Sequence, residues 1–364
     1  CPVAQYCRLM ANPGRRGECR YHEAKSLRKA AQMASGKKKM TVGKGLAIAV
    51  GSLLGLAAVA VAGFNIYIHA TYADFYQQAR QEFPIPDING GFVPQDMAWL
   101  EGSQQWLFSG YMGDHGPSPL YRTSESGTDV VKFFVTNPDG STYVGHGGGV
   151  TADGQFTFLT TEGGYLVLNT QEVATAEEGA QVQAIAQVDI GIDPAFINIQ
   201  NGALYTGVFY YETDYPTPAE QHLTAPDGTQ NKAVMYVFDA DADGEFGYAN
   251  GPSRVFSIPD RVQGVCFNSQ GQMVLSCSWG LQASSLPTYD VEGLQQRGTY
   301  RAMGADVPLY FLDSSNKVAD FLAPPMSEGL VQKDGRVWYA SESACNKYIF
   351  GKLYASGFVV SLPL

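Results

Sequence analysis

Histidine and cysteine are scarce in this chain, five and six among 364 residues, and neither a G-x-S-x-G nor an H-E-x-x-H sequence occurs. The first absence excludes a nucleophile elbow of the α/β-hydrolase kind, and the second a zinc-protease helix. The cysteines are too few and too scattered for a disulfide framework. Cys1, Cys7 and Cys19 precede a long apolar stretch, while Cys266, Cys277 and Cys345 follow it, and an odd set leaves one thiol unpaired. Cys266 and Cys277 fall on two arms of one expected hairpin. Its turn at Ser269–Gly271 sets Cys266 opposite about Met273, out of register for a bridge, so buried thiols are expected.

Charge is missing altogether from Gly45 to Ile68. Roughly 20 apolar residues in a helix cross the hydrocarbon core of a bilayer, and a segment apolar on every face is a poor core helix for a soluble domain. Lys37, Lys38, Lys39 and Lys44 stand just before it; residues 1–44 carry a net charge of +9 and residues 70–364 one of −20. Positive flanks stay on the cytoplasmic side. The expectation is a single-pass protein of the cell membrane, N-terminus cytoplasmic and C-terminal domain extracytoplasmic. A cleaved secretory signal is the alternative, and Ala60 and Ala62 leave cleavage open; the apolar core nevertheless exceeds the 7–15 residues of such signals. The chain begins at Cys1 without a methionine, which fits either removal of an initiator or a fragment. This organisation reads as a basic cytoplasmic tail (1–44), a transmembrane signal-anchor (45–69), a stalk and linker (70–91) and an extracytoplasmic domain (92–364). The acidity of that domain excludes nucleic acid, whose phosphates it would repel, and argues against its lying flat on anionic lipid.

Beyond the linker, short β-prone runs alternate with Gly, Asp and Asn. Five segments share one grammar: PQDMAWLEGSQQWLFSGY from Pro94, HGGGVTADGQFTFLTTE from His146, PAFINIQNGALYTGVFY from Pro194, VQGVCFNSQGQMVLSCSWG from Val262 and MSEGLVQKDGRVWYASES from Met326. Each has a small or polar lead-in, an apolar run, a turn and a second apolar or aromatic run. A third run follows in four of them, at Ser118, Gly164, Ala233 and Val307. Antiparallel repeats of about 50 residues are the signature of a β-propeller. The fold expected is therefore all-β, a five-bladed propeller with six blades as the alternative, preceded by one transmembrane helix. The final GFVVSLPL is expected to complete a blade begun at the other end of the repeats, because ring closure removes open sheet edges. Trp338 and Phe267 are expected in the core.

These repeats, with the lead-in turns QG at Gln263 and SEG at Ser327, resemble bacterial extracytoplasmic propellers, similar to six-bladed lactonase-like and related five- or six-bladed families. The resemblance covers the outer domain only. A lactonase-like site would hold a channel metal on Glu328, Asn198 and Asp96, oxygen donors suited to calcium.

Strands alternate direction within a blade, so the lead-in of the innermost strand shares one end of the ring with the loop joining strands two and three. His146, Asn198 and Gln263 sit at lead-ins, and Trp279 opens one of two long insertions, 210–232 and 279–306. These four are the ligand-binding candidates, since aromatic loops over a rigid scaffold are where ligands bind. Glu328 and Asp96 are the candidate catalytic pair, because glycoside hydrolysis needs two carboxylates some 5–10 Å apart. Glu162 and Glu342, at the ends of second strands, are further candidates. Asp239, Asp241, Asp243 and Glu245 follow the first half of an EF-hand loop, D-x-D-x-D-G, and suit calcium; Asn250 stands where a bidentate Glu is needed, and an acidic solvated turn is the other reading. Cys1, Cys7, Cys19 and His22 offer three thiolates and an imidazole to zinc, against reduced thiols in a basic tail. Two functions remain in view: a surface-anchored module binding a glycan, peptide or envelope protein, and a hydrolase of a glycoside or lactone.

Overall fold

The computed structural model describes residues 16–354 and 356–364. The chain divides into two compact units, Cys1–Tyr67 and Ile68–Leu364. Helix α1, Arg16–Thr71, includes a stretch at Val50–Thr71 long and apolar enough to cross a membrane. Leu53, Leu54 and Leu56 are all about two-thirds exposed along it. Cys1 and Cys7 lie outside the described residues, as do the side chains of Cys19 and His22, and with them the zinc reading.

The second unit is built of five mainly antiparallel sheets, the five-bladed propeller expected from the repeats, with a two-stranded ribbon of Leu223–Thr224 and Gln230–Asn231 besides. Blade one runs outward from Phe92–Leu100 through Gln105–Met112 and Pro119–Ser124 to Val131–Thr136, with Gln181–Gln183 added in parallel. Blade two comprises Val150–Ala152, Phe156–Thr161, Gly164–Asn169 and Ala186–Asp189; blade three starts at Pro194–Gln200, and blade four at Val262–Phe267. Blade five is composite. Ser327–Lys333, Arg336–Ser341 and Phe358–Leu362 are completed by Arg80–Pro84, paired antiparallel from the other end of the unit. That pairing closes the ring and explains why no sixth blade is needed: residues near 84 and the last strand form one edge together. Residues 70–91, read as stalk and linker, thus supply a strand. They also supply helix α2, Ala73–Gln78, whose Phe75 packs on Phe321 and Tyr339.

The sequence forms these hairpins because the turns suit them. Asn201–Gly202 and Asp334–Gly335 take positive φ at both positions, the two-residue turn whose twist matches that of the flanking strands. Between blades, large aromatics interlock. Trp106 of blade one meets Trp338 of blade five at 4.8 Å between ring centroids, and Tyr205 of blade three meets Phe267 of blade four at 5.0 Å. Burying each such ring contributes about 2–3 kcal/mol, so the wedges between blades carry much of the stability.

Two details differ from the sequence reading. The third strand of blade four is Ser284–Tyr289, not the run at Val307. Ala305–Phe311 instead pairs in parallel with Arg254–Ile258 on the outer edge of blade three, with Thr299–Ala302 beyond it. The segment 279–306 therefore contains the strands Ser284–Tyr289 and Thr299–Ala302, and only the residues before Ser284 form a loop between strands two and three. The β-prone run was read correctly, but its partner across blades is not encoded locally. Cys266 pairs with Val274, one residue from the expected register, and Cys266, Cys277 and Cys345 are buried free thiols.

Candidate functional site

The five inner strands are stitched to one another around the axis. Val150 N–H donates to Asp96 Oδ2 at 2.8 Å, linking blades one and two; Ile199 N–H donates to Thr151 Oγ1 at 3.1 Å, linking two and three. Phe267 N–H donates to Gln200 Oε1 at 3.2 Å, and Gln263 Nε2 to Glu328 Oε1 at 3.4 Å. The last join, five to one, is a steric fit. A Cβ on Gly329 would stand 1.6 Å from Asp96 Oδ1, so only glycine lets the two strands close. Four inner strands carry a bulge near their start, at Pro94/Asp96, Pro194/Phe196, Val262/Gly264 and Ser327/Leu330. A bulge re-aims side chains, and here it turns Gln95, Gln263 and Glu328 into one polar cluster.

Three carboxyl groups meet there, all buried: Asp96, Glu328 and Glu342. Burial pushes the Asp96 carboxyl well above the ordinary range, against the pull of the Val150 and Met97 amides that bond its two oxygens. Glu328 is also pushed well up, first by burial, then by the negative charges of Glu342 and Asp96. Like charges so enclosed cannot all ionise. Glu342 is raised to about 7, by burial, while Lys347, Gln95 and Tyr348 hold it down. From Glu342 a bonded chain runs outward. Gln95 Nε2 donates to Glu342 Oε2 at 3.0 Å, and His146 Nε2 lies 2.6 Å from Gln95 Oε1. Because Gln95 presents its oxygen, the imidazole donates. Its pKa is lowered, first by desolvation of the ring against Tyr111 and Gln95 and then by the Lys347 charge, although the residue keeps an exposed edge, so His146 is neutral at pH 7.

Aromatic rings cover this cluster. Tyr111 lies 4.3 Å from the His146 ring, and the Lys347 ammonium sits over Tyr111 and Tyr348. The insertion after the second strand of blade three brings Phe209, Tyr211 and Tyr215 around Trp279, with Tyr211 and Trp279 stacked at 4.3 Å. Tyr215 feels the Glu342 charge, a lesser contribution behind burial and Asp214 to its raised pKa, so this aromatic group shares the mouth with the carboxyl cluster.

The candidate residues therefore divide. Asp96, Glu328, Gln263 and His146 are brought together at one end, with Trp279 near its rim. Asn198 is not among them; its amide donates to Leu330 O at 3.2 Å, and its side chain lines a cavity of about 270 Å³ at the opposite end of the inner strands, beside Trp99, Thr151, Gln200 and Gln332. Neither this cavity nor a second of about 100 Å³ is lined by Asp96 or Glu328. Glu162 follows the second strand of blade two, in the turn after Thr161, and is exposed. At the acidic loop, Asp239 pairs with Arg254 at 2.8 Å, and Asp241 Oδ1 accepts the Asp243 amide at 3.0 Å. Among the described residues no three His, Cys, Asp or Glu side chains are grouped to hold a metal.

Sequence reading missed Gln95, Tyr111, Lys347 and Tyr348. One signal was present: second strands end in a small polar residue followed within a residue or two by an aromatic or acid, as in SGY at Ser109, TTE at Thr160 and SE at Ser341.

No protein-family model and no curated protein matches the sequence. Similarity appears only among solved structures. A PQQ-bound aldose sugar dehydrogenase from Streptomyces coelicolor is 14% identical over 72% of this chain and 76% of that one, with a TM-score of 0.39. BamB from Moraxella catarrhalis is 10% identical over 74% and 82%, with a TM-score of 0.32. A candidate 6-phosphogluconolactonase from Bacteroides uniformis is 13% identical over 62% and 72%, with a TM-score of 0.28. These likenesses concern the propeller fold and say nothing of activity.

Proposed function

We propose that the chain is a membrane-anchored extracytoplasmic binding module, with its N-terminus cytoplasmic, that takes a glycan, peptide or envelope protein at the mouth ringed by Trp279, Tyr211, Tyr215, Tyr111 and Lys347. The observation that carries this reading is the division of labour between depth and rim. Asp96 spends both oxygens on backbone amides and Glu328 is sealed beneath it, whereas stacked aromatics and a cation stand above them. Stacked rings are sequence-tolerant platforms for sugar faces and side chains, and a buried carboxyl layer keeps the axis rigid.

A second reading rests on one specific feature. Glu342, raised to about 7, stands beside Glu328, whose carboxyl burial and neighbouring charge push well up, and two carboxyls in unlike surroundings can divide the acid and base roles. A hydrolase of glycosides or lactones would then use Glu342 and Glu328 rather than Glu328 and Asp96.

The test combines a glycan and peptide binding panel with a glycoside and lactone substrate panel, applied to the wild type, Trp279→Ala and Glu328→Gln. The binding reading expects retention of a ligand without turnover, weakened roughly tenfold or more by Trp279→Ala, a loss in the range of an interface anchor. Turnover abolished by Glu328→Gln in a folded protein would overturn it in favour of the hydrolase.

A further inference from the structure

The segment between the last two strands of blade five begins at Glu342 and ends at Gly357. In its middle Ile349 and Phe350 are 71% and 68% exposed, the most exposed large apolar side chains of the described propeller unit, and Leu353 beside them is 40% exposed. Adjacent apolar residues held out in solvent mark a contact surface rather than chance exposure. Their position identifies the contact. Tyr354, the next residue, meets the Tyr72 ring at 6.0 Å, and its carbonyl accepts a hydrogen bond from Tyr76 Oη at 2.7 Å. Tyr72 and Tyr76 follow within five residues of Thr71, where the apolar stretch Val50–Thr71 ends. A residue so close in sequence to the end of a membrane span lies at the headgroup level, where Tyr is the favoured side chain.

We infer that Ile349, Phe350 and Leu353 form an apolar fingertip that enters the outer leaflet of the bilayer at the interface. The inference rests on the anchor reading proposed above. Two features fit lipid. Lys352, between Phe350 and Leu353, suits anionic or zwitterionic headgroups, and its ammonium reaches Asn89 Oδ1 at 2.7 Å, which holds the tip in place. The contact is a point and not a face, so the net negative charge of the propeller does not oppose it. Apolar side chains of this kind settle about 5–10 Å into the headgroup and acyl boundary.

The test uses the full chain in liposomes, with Cys1, Cys7 and Cys19 replaced by serine and a single environment-sensitive label introduced by Phe350→Cys. Leu54→Cys serves as a reference within the span and Val130→Cys as one on a different blade. The expected result is strong quenching of the label at 350 by lipids carrying a quencher near the headgroup, with loss of quenching by aqueous iodide. The label at 130 should behave the opposite way. A label at 350 as accessible to iodide as that at 130, while the label at 54 is quenched by lipid, would overturn the fingertip. A label at 54 open to iodide would overturn the anchor itself. Ile349→Ser in the Phe350→Cys background should reduce lipid quenching at 350 with melting unchanged, which separates insertion from a folding defect.

Discussion

Replacing Glu342 by glutamine deletes one titration from the buried cluster while nearly preserving shape, so it isolates the electrostatic argument. The Glu342 carboxyl is raised from 4.5 to about 7. Between those values the folded chain holds a proton that the unfolded chain has released, so this group favours folding below pH 4.5 and loses that contribution as pH rises through 7. The difference is on the order of 3 kcal/mol for a side chain this well buried. His146 acts in the other sense. Its pKa drops from 6.5 to about 4, so its contribution is complete above pH 6.5 and is lost as pH falls through 4. In the wild type the two oppose each other between pH 4.5 and 6.5, with His146 the smaller because its exposed ring is screened by solvent, and Glu342→Gln removes the larger slope. Relief of Glu328 from a neighbouring charge adds in the same direction. Relative to the wild type, the variant should therefore gain on the order of 3 kcal/mol between pH 4.5 and 7.5, or roughly 5–10 °C in Tm for a domain of this size. The assay is thermal melting of the full chain in detergent micelles, followed by tryptophan fluorescence at half-unit pH steps. The pH dependence of the difference is what counts, since the glutamine oxygen still accepts from Gln95 at every pH. Parallel curves across the whole range would refute the assignment of a buried, raised carboxyl.

Three further outcomes follow from the same structure. Gly329→Ala should cost about 2–4 kcal/mol or prevent folding, because its Cβ would meet Asp96; Gly102→Ala, which meets nothing within 4 Å, should leave melting unchanged, and equal behaviour of the two would sink the close-approach argument. Protease added to spheroplasts should remove the propeller, and full protection of a protein shown to be digestible after lysis would reverse the proposed orientation. Calcium should raise the Tm through the loop from Asp239 to Glu245, an effect lost in Asp241→Ala, because a ligand held only by the folded state stabilises it; no calcium effect would leave a solvated acidic turn, with Asp239 retained by Arg254.

The architecture was legible because a propeller is written in local grammar. Each hairpin has its own turn, such as Asn201–Gly202 or Asp334–Gly335, and five copies of one hairpin leave few alternatives. Ring closure followed from the same logic, since two lone strand edges must pair. What pairs across sequence was less readable. The run Ala305–Phe311 has the composition of any third strand, and nothing within it says that its partner is Arg254–Ile258 of the preceding blade. The site was half legible for a related reason. The lead-in position of the inner strands picks out Asp96 and Glu328, whereas alternation by twos, which assigns each strand residue to one face, breaks at a bulge. Gln95 sits in such a bulge, so the residue that joins His146 to Glu342 follows no period that a sequence displays. Lys347 and Tyr348 lie in a connection between strands and obey no period at all. Asn198 illustrates the converse error. It lies two residues beyond the bulge of its strand, about 7 Å further along the axis at the rise of a β-strand, and that displacement takes it from the carboxyl cluster to the opposite cavity. In a propeller the blades follow from repetition, whereas the chemistry of the axis is set by where each inner strand breaks its repeat.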